Sequence, residues 1–394
     1  MHANDTYERF GRSTWDRSST TFHIPKAKYR SWIIDNRMNT AVLHETAFEN
    51  GGGVTVVETI CQAFDADLYF GFATDEVVDA IDSSIDVIRL FDNSFFSRFK
   101  QNPTFRHLFY LWRFSCRPEL HEYDVVVQSG SGTDWYVPSD GQGLVRYVHS
   151  PAAHYQDAAT HENSSLARVF GLVSRTLRGP TLRFPSVYLA NSDLTARRVR
   201  QYLDVDPEVV HPPVEIADLD PEAAPDGEYY LSLSRLTSGK SVEEIVRTFT
   251  NKHSEKRLVV AGDGPRREAI EAAAGDNVDV VGYVSEERKR ELFAGAKAAV
   301  INSGNETFGI TAVESFASGT PVLAVEGGFT PHLVENGRYG YVYERGNLRN
   351  AISRFESIGI EATTEELTEY AANFNRKYFE ENIKDAIEAA AVDP

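Results

Sequence analysis

The chain has 394 residues, 42% of them hydrophobic and 25% charged, a globular composition that excludes a fibre or a disordered tract and is long enough for two cores. The formal net charge is -18, with 10 lysines among 40 basic residues. Such acid excess argues against a nucleic-acid binder, which needs a basic face, and fits the solvated surface of a salt-adapted (halophile) protein.

Residues 1–37 fit neither of the sheets predicted below. An accessory segment on the outside and a start-site artefact before Met38 are both consistent with them. The segment has no apolar stretch of the kind a signal peptide carries. Regular patterning begins after Met38. "AVLHETAF" reads as a buried strand, "NGGG" (Asn50 to Gly53) as a glycine turn, and "VTVVETICQAF" as a helix. Strand-like runs continue with "ADLYFGFA", "DVIRL", "DVVVQSG", "LVRYVHSP", "VYLANS" and "EVVHPPV". Helical patterns separate several of them, which predicts a parallel sheet covered on both faces.

The Pro- and acid-rich stretch "PPVEIADLDPEAAPDGEYY" reads as a linker. Beyond it the alternation repeats. Strands are "YYLSLSR", "KRLVVAGDG", "VDVVGYV", "AAVINSG", "TPVLAVEGG" and "YGYVY". The helices between them are "SVEEIVRTFT", "PRREAIEAAA", "SEERKRELFAGA" and "ITAVESFASG". The last stretch, from Thr363, reads as a terminal helical region. The boundaries predicted are an extension over 1–37, one α/β domain over 38–210, a second over 211–370, and a C-terminal helix over 371–394 that packs back on the first domain.

Four places carry chemistry. In "SLSRLTSGKSVEEIV", Arg235 and Lys240 lie between a strand and a helix start. They form either an anion site or a solvated loop with two surface cations. "AGDGP" contains Gly262 in a tight strand-to-helix turn, which is read either as a donor-binding position or as the structural turn that many folds use. "NSGNETFGITAVESF" sets Glu306 in a loop at a strand's C-terminal end. Phe308, Gly309 and Ile310 stand at the following helix start, and Glu314 about one turn along it. The two glutamates could hold hydroxyls, or one could cap the helix and the other be solvated. In the first half, Gly51, Gly52 and Gly53 leave bare backbone after the first strand without the spacing of a dinucleotide fingerprint. His149 follows a strand in "RYVHSP".

Taken together, these segments resemble the family 4 glycosyltransferases. The carriers, in chain order, are "GGG", "YVHSP", "LANSDLTARRV", "VVHPPV", "SLSRLTSGKSVEEIV", "AGDGP", "VGYVSEERKRELFAGAKAAV" and "ETFGITAVESFASGTPVLAVEGG". The resemblance covers roughly Asn39 to the C-terminus. It implies the GT-B architecture, two facing Rossmann-like domains with a cleft between them. It implies a retaining hexosyltransferase with a nucleotide-sugar as substrate, no cofactor and no metal. GDP-mannose is the first expectation for the donor and a UDP-hexose the next.

The family roles fall on matching residues. Arg235 and Lys240 resemble the pair that neutralises the donor diphosphate, and Glu306 the glutamate at the donor sugar. Glu314 resembles the one on the ribose. Phe308, Gly309 and Ile310 match the backbone cradle, Gly52 and Gly53 the loop beside the diphosphate, and His149 the histidine reaching from the N-terminal domain. Two departures stand out: "NSG" precedes "NETFG" where Pro-Ser is frequent, and "FTPHLVENG" follows "VEGG".

Two acid-free segments, Phe95 to Pro118 and Ser164 to Tyr188, alternate aromatics with Arg98, Lys100, Arg106, Arg113, Arg117, Arg168, Arg175, Arg178 and Arg183. They read as a face for an anionic membrane surface, or as packed helices with solvated arginines. The first reading predicts a lipid-linked or glycan acceptor and peripheral membrane contact; the two cysteines, Cys61 and Cys116, have no metal, redox or disulfide spacing and fit a reducing, cytoplasmic setting. The competing classes are another GT-B enzyme, such as a nucleotide-sugar epimerase or a phosphorylase, and a non-catalytic nucleotide-sugar-binding protein.

Overall fold

A computed structural model describes residues 38–48, 51–91, 103–115, 117–150, 181–182, 184, 186–216, 229–252 and 255–392. Residues 1–37, Cys116, Arg98, Lys100, Arg168, Arg175, Arg178 and Arg183 lie outside the described residues, as does the side chain of Arg106. Residues 38–394 group as one compact unit.

The apolar runs of the first half become strands β1 (Thr40–Ala47), β2 (Asp67–Ala73), β3 (Val87–Arg89), β4 (Val125–Ser129), β5 (Gly143–Val148), β6 (Val187–Ala190) and β7 (Glu208–Val209). They form one parallel sheet in the order β3-β2-β1-β4-β5-β6-β7. Around it lie α1 (Gly52–Phe64), α2 (Asp75–Ala80), α3 (Pro103–Ser115) and α4 (Asp193–Leu203). Near-continuous burial along β1, β2 and β4 is what a sheet covered on both faces requires.

The second half repeats this design. Strands β8 (Tyr229–Leu233), β9 (Arg257–Ala261), β10 (Val278–Gly282), β11 (Ala296–Ile301), β12 (Val322–Val325) and β13 (Gly340–Tyr343) run in the order β10-β9-β8-β11-β12-β13, again parallel. The helices are α5 (Val242–Lys252), α6 (Arg267–Ala273), α7 (Glu286–Ala294), α8 (Ile310–Ala317), α9 (Thr330–Val334), α10 (Leu348–Ile358), α11 (Thr364–Ala372) and α12 (Arg376–Val392).

Each sheet has two apolar layers. One face of the first packs Val42, Ile60 and Val127 against Phe379, Ile383 and Ile387 of α12, so the chain's last helix completes the core of its first sheet. The other face packs Leu43, Phe91, Tyr110, Phe114 and Trp135. In the second sheet α8 and α11 cover one face and α5 and α10 the other.

The terminal helical region is two helices rather than one. It breaks at Asn373–Asn375, where Val214 N–H donates to Phe374 O at 3.0 Å and ties the linker region to that bend. Asn375 Oδ1 then caps the new helix by accepting from Tyr378 N–H at 3.1 Å.

Two departures from the sequence reading concern glycines. Gly52 and Gly53 do not lie in an open loop; they form the first turn of α1. The space a side chain would fill is already taken, at Gly52 by Ile310 and at Gly53 by His44. Gly262, at φ +124°, has the Ser234 carbonyl only 1.9 Å from where a Cβ would stand. Its bareness lets β9 pass beneath the loop that carries Arg235.

Candidate active site

Open α/β sheets bind ligands beyond the carboxyl ends of their strands, where the strand order reverses. Here that point falls between β1 and β4 in the first sheet and between β8 and β11 in the second. The predicted residues stand at these two places.

On the second sheet, β8 leads into a tight turn held by Leu236 N–H to Asp263 O, 2.8 Å, and Thr237 N–H to Arg235 O, 2.9 Å. Arg235 is exposed beside it. A short 3₁₀ turn, Ser238–Lys240, follows, then Ser241 in the left-handed conformation at φ +52°, then α5. This turn aims Lys240 across to β11, where its ammonium pairs with Glu306. Both side chains are about a quarter exposed, at 28% and 22%, so the pair is reachable from solvent. They line one pocket with Ser234, Asn302, Gly309 and Thr311.

Asn302 is a scaffold that the sequence reading did not single out. It is buried, donates to Ser241 O and Glu244 Oε2 at 3.0 Å each, and accepts from Tyr343 OH at 3.1 Å. It thereby fixes the distance between the Lys240 turn and the Glu306 loop.

The two helix starts at this pocket differ. The first turn of α5 carries Glu243 and Glu244, which already complement its dipole. The first turn of α8 has no acidic residue, and no side chain caps it. Its N-cap is Gly309 at φ +107°, packed so closely that a Cβ would stand 2.8 Å from Thr330 Oγ1. The anion-ready end is therefore that of α8, not α5.

The Phe308 side chain is 3% exposed and packs with Phe329, Phe374 and the His211 ring, so only its backbone is on offer. Glu314 lies one turn into α8 and is not simply solvated: Lys289 of α7 pairs with it at 2.6 Å and with Glu286 at 2.6 Å. Burial pulls the Lys289 pKa down, but the two carboxylates hold it above the ordinary value. Gly327 and Gly328 let the "VEGG" turn lie directly on the Glu306 loop, with Phe329 N–H donating to Glu306 O at 2.7 Å.

On the first sheet, His149 stands just past β5. Its Nε2 lies 2.8 Å from Ser129 Oγ at the end of β4, and the same hydroxyl is 3.1 Å from His44 Nδ1 on β1. Burial lowers the His149 pKa to about 4. Burial, then the neighbouring His149, lowers that of His44 to about 3.

The two halves meet beside these groups. Gly52 abuts Ile310 at the start of α8. Ser192, the N-cap of α4, donates to Thr307 O, and Asn191 Nδ2 donates to Thr307 Oγ1 at 3.1 Å. Thr195 Oγ1 donates to His149 O at 3.3 Å. Gly52, Gly53, His149, Lys240, Glu306, Gly309, Ile310 and Glu314 thus belong to one contiguous region. Gly262 supports it from beneath.

His44, Ser129, Asn191, Ser192 and Lys289 escaped the sequence reading. The motif "LANSDLT" held one usable signal, a Ser-x-x-Thr helix start. The others carry none, because their partners are distant in sequence. Of the arginines in the basic-aromatic segments, two have described side chains. Arg113 lies over Phe91 and Trp112, and Arg117 pairs with Glu119 at 2.6 Å. Both face protein partners. Among the described residues no helix is long and apolar enough to cross a membrane, and no cluster of three His, Cys, Asp or Glu gathers at metal-binding distance.

Residues 217–377 match the family model of the glycosyl transferases group 1. The chain is 30% identical over 164 residues to an alpha-monoglucosyldiacylglycerol synthase of Streptococcus pneumoniae, covering 38% of this chain and 37% of that protein. It is 41% identical over 71 residues to a GDP-mannose-dependent alpha-(1-6)-phosphatidylinositol dimannoside mannosyltransferase of Mycobacterium tuberculosis, covering 18% and 19%. The matches thus span well under half the length of these curated relatives. The fold is shared with Anabaena HepE in complex with UDP-glucose, at a TM-score of 0.67 and 15% identity, covering 89% of this chain and all of that one. With its two parallel sheets, the chain has the GT-B architecture.

Proposed function

We propose, because residues 217–377 match the family model of the glycosyl transferases group 1, that this chain is a retaining glycosyltransferase that moves a hexose from a nucleoside-diphosphate sugar to a lipid-linked or glycan acceptor. The single observation that carries the reading is the meeting of Lys240 and Glu306 beside the uncapped start of α8, with Gly52 of the other half against Ile310.

The chemistry follows from charge. The bond between the sugar's anomeric carbon and the diphosphate breaks, and its electron pair leaves on a phosphate oxygen. Lys240, Arg235 and the α8 amides stabilise that developing charge by preorganised donors. Glu306, the present partner of Lys240, accepts from a sugar hydroxyl once the phosphate takes the lysine. Glu314 has acceptor sites beyond the one Lys289 occupies, enough for ribose hydroxyls. The acceptor oxygen attacks from the face the diphosphate leaves, and its proton passes to the departing phosphate oxygen. Closing the halves over the donor keeps water from hydrolysing it.

Mannose from GDP-mannose is the preferred donor, supported by the mycobacterial relative; the pneumococcal relative supports a lipid-linked acceptor. The test is release of nucleoside diphosphate from a panel of GDP- and UDP-sugars, with and without lipid-linked acceptors. Acceptor-dependent release is expected. Binding without release for every donor would favour a non-catalytic nucleotide-sugar binder. Peripheral membrane contact is read by flotation with anionic liposomes: binding that weakens when Arg175 and Arg178 become Ala is expected, and no flotation removes the membrane face.

A further inference from the structure

His149 matches the family's histidine that reaches from the N-terminal domain, and His44 and Ser129 stand behind it. His44 and Ser129 face each other across the β1–β4 ladder, and Ser129 pairs with Tyr147 across β4–β5, two residues before His149. All three groups therefore sit at the same reversal point of the first sheet. Ser129 is fully buried and His44 is 6% exposed, while His149 is only part-buried. The hydroxyl of Ser129 lies between two ring nitrogens, His44 Nδ1 at 3.1 Å and His149 Nε2 at 2.8 Å.

A hydroxyl has one proton. Between two neutral imidazoles it donates to one nitrogen and accepts from the other, so the two rings cannot choose tautomers independently. Burial keeps both rings neutral at pH 7. The two distances distinguish the arrangements: 2.8 Å to His149 Nε2 suits the shorter bond of an O–H donor and 3.1 Å to His44 Nδ1 the longer one of an N–H donor, which places the His44 proton on the side turned to Ser129. That choice propagates outward. His44 Nδ1–H donates to Ser129 Oγ, Ser129 O–H donates to His149 Nε2, and the His149 proton is left on Nδ1.

We propose that His44 and Ser129 are positioning residues that hold His149 in its Nδ1–H tautomer, so that the ring presents a fixed N–H donor to an oxygen of the donor sugar. The alternative tautomer would present a lone pair, which can only accept from a sugar hydroxyl and cannot donate to its oxygen. Gly53 belongs to this device: a Cβ there would stand 3.2 Å from His44 Cε1 and press on that ring, while only touching the His149 ring at 3.9 Å. The same serine fixes the ring's rotation, since Nε2 is tied at its inner edge. The role assigned to His149 rests on the glycosyl-transfer reading; the tautomer does not.

The two are separated by experiment. Long-range nitrogen–proton NMR of the full chain, labelled with ¹⁵N-histidine, reports which His149 nitrogen carries the proton. Protonated Nδ1 is expected, with Ser129→Ala shifting the ring to the Nε2–H form or a mixture. Protonated Nε2 in the unaltered chain overturns the proposal, as does an unchanged tautomer in Ser129→Ala. In turnover, Ser129→Ala and His44→Phe each lower kcat/KM by about tenfold, the weight of one oriented hydrogen bond. Ser129→Thr, which keeps the hydroxyl, restores most of it; a Thr variant as slow as the Ala variant counts against the relay. If no donor turns over, the glycosyl-transfer reading fails and the NMR result still decides the tautomer.

Discussion

At the residue scale, the ion pair of Lys240 and Glu306 is the most informative contact in the molecule. Under the proposed function each side chain is the other's placeholder for a ligand: phosphate for the lysine, sugar hydroxyl for the glutamate. Truncating one releases the other. Lys240→Ala is expected to weaken nucleoside-diphosphate binding and to cut turnover, because charge is lost from both ground and transition states. Glu306→Ala is expected to lower kcat by about 10²-fold or more while nucleoside-diphosphate binding holds or tightens, since Lys240 is then unopposed. Calorimetric binding beside steady-state rates checks the split. Unimpaired turnover in both variants would refute the site. Both residues were legible in the sequence, because their motifs sit at strand ends. Their partnership was not, since 66 positions separate them and only the reversal between β8 and β11 joins them.

At the scale of elements, helices do work that their own sequences do not reveal. The α12 helix has an ordinary amphipathic pattern, yet Phe379, Ile383 and Ile387 fill the core under β1, β4 and β5. Arg376 ties its start to Gln62 of α1 at 2.7 Å. Ile387→Ala is expected to destabilise the fold by about 2–5 kcal/mol, as a methylene-lined void opens in a close-packed interior. Chemical denaturation measures it, and a loss under 1 kcal/mol would mean α12 is dispensable to that core. The first turn of α1 holds a related lesson. Three glycines in a row suggested room for a ligand, but the room at Gly52 and Gly53 is filled by Ile310 and His44. Sequence shows that a side chain is missing; it does not show whether a ligand or the protein itself uses the space.

At the scale of the whole molecule, buried histidines link fold to pH. The unfolded chain binds protons on His44 and His149 as pH falls through their ordinary value of 6.5. The native chain does so only near 3 and 4. Their contribution is therefore intact above pH 6.5 and is lost below it. The slope approaches about 1.4 kcal/mol per pH unit for each ring until the native values are reached. Burial lowers His211 as well, which acts in the same direction. Between pH 7.5 and pH 5 the unfolding free energy is expected to fall by several kcal/mol by this linkage. His44→Phe should flatten that slope, whatever it does to stability at pH 7.5. Equal unfolding free energies at the two pH values would show that these rings titrate normally.

Much was determined by sequence alone. Alternating apolar runs and helical patterns dictated two parallel sheets, because buried parallel strands must be apolar on both faces and must be joined by helices. Strand-end motifs marked Lys240, Glu306, Glu314 and His149, because chain that leaves a sheet edge is where backbone and charge are free to meet a ligand. Tertiary structure alone decided which groups touch. It joined Lys240 to Glu306 and Glu314 to Lys289, and set Ser129 between His44 and His149. It also gave the anion-ready helix start to α8, since α5 carries its own carboxylates. The reason is geometric. Periodicity along a chain encodes burial and local bonding, but contacts between strands 85 residues apart, such as His44 and Ser129, depend on the order of strands in the sheet, which no local pattern carries.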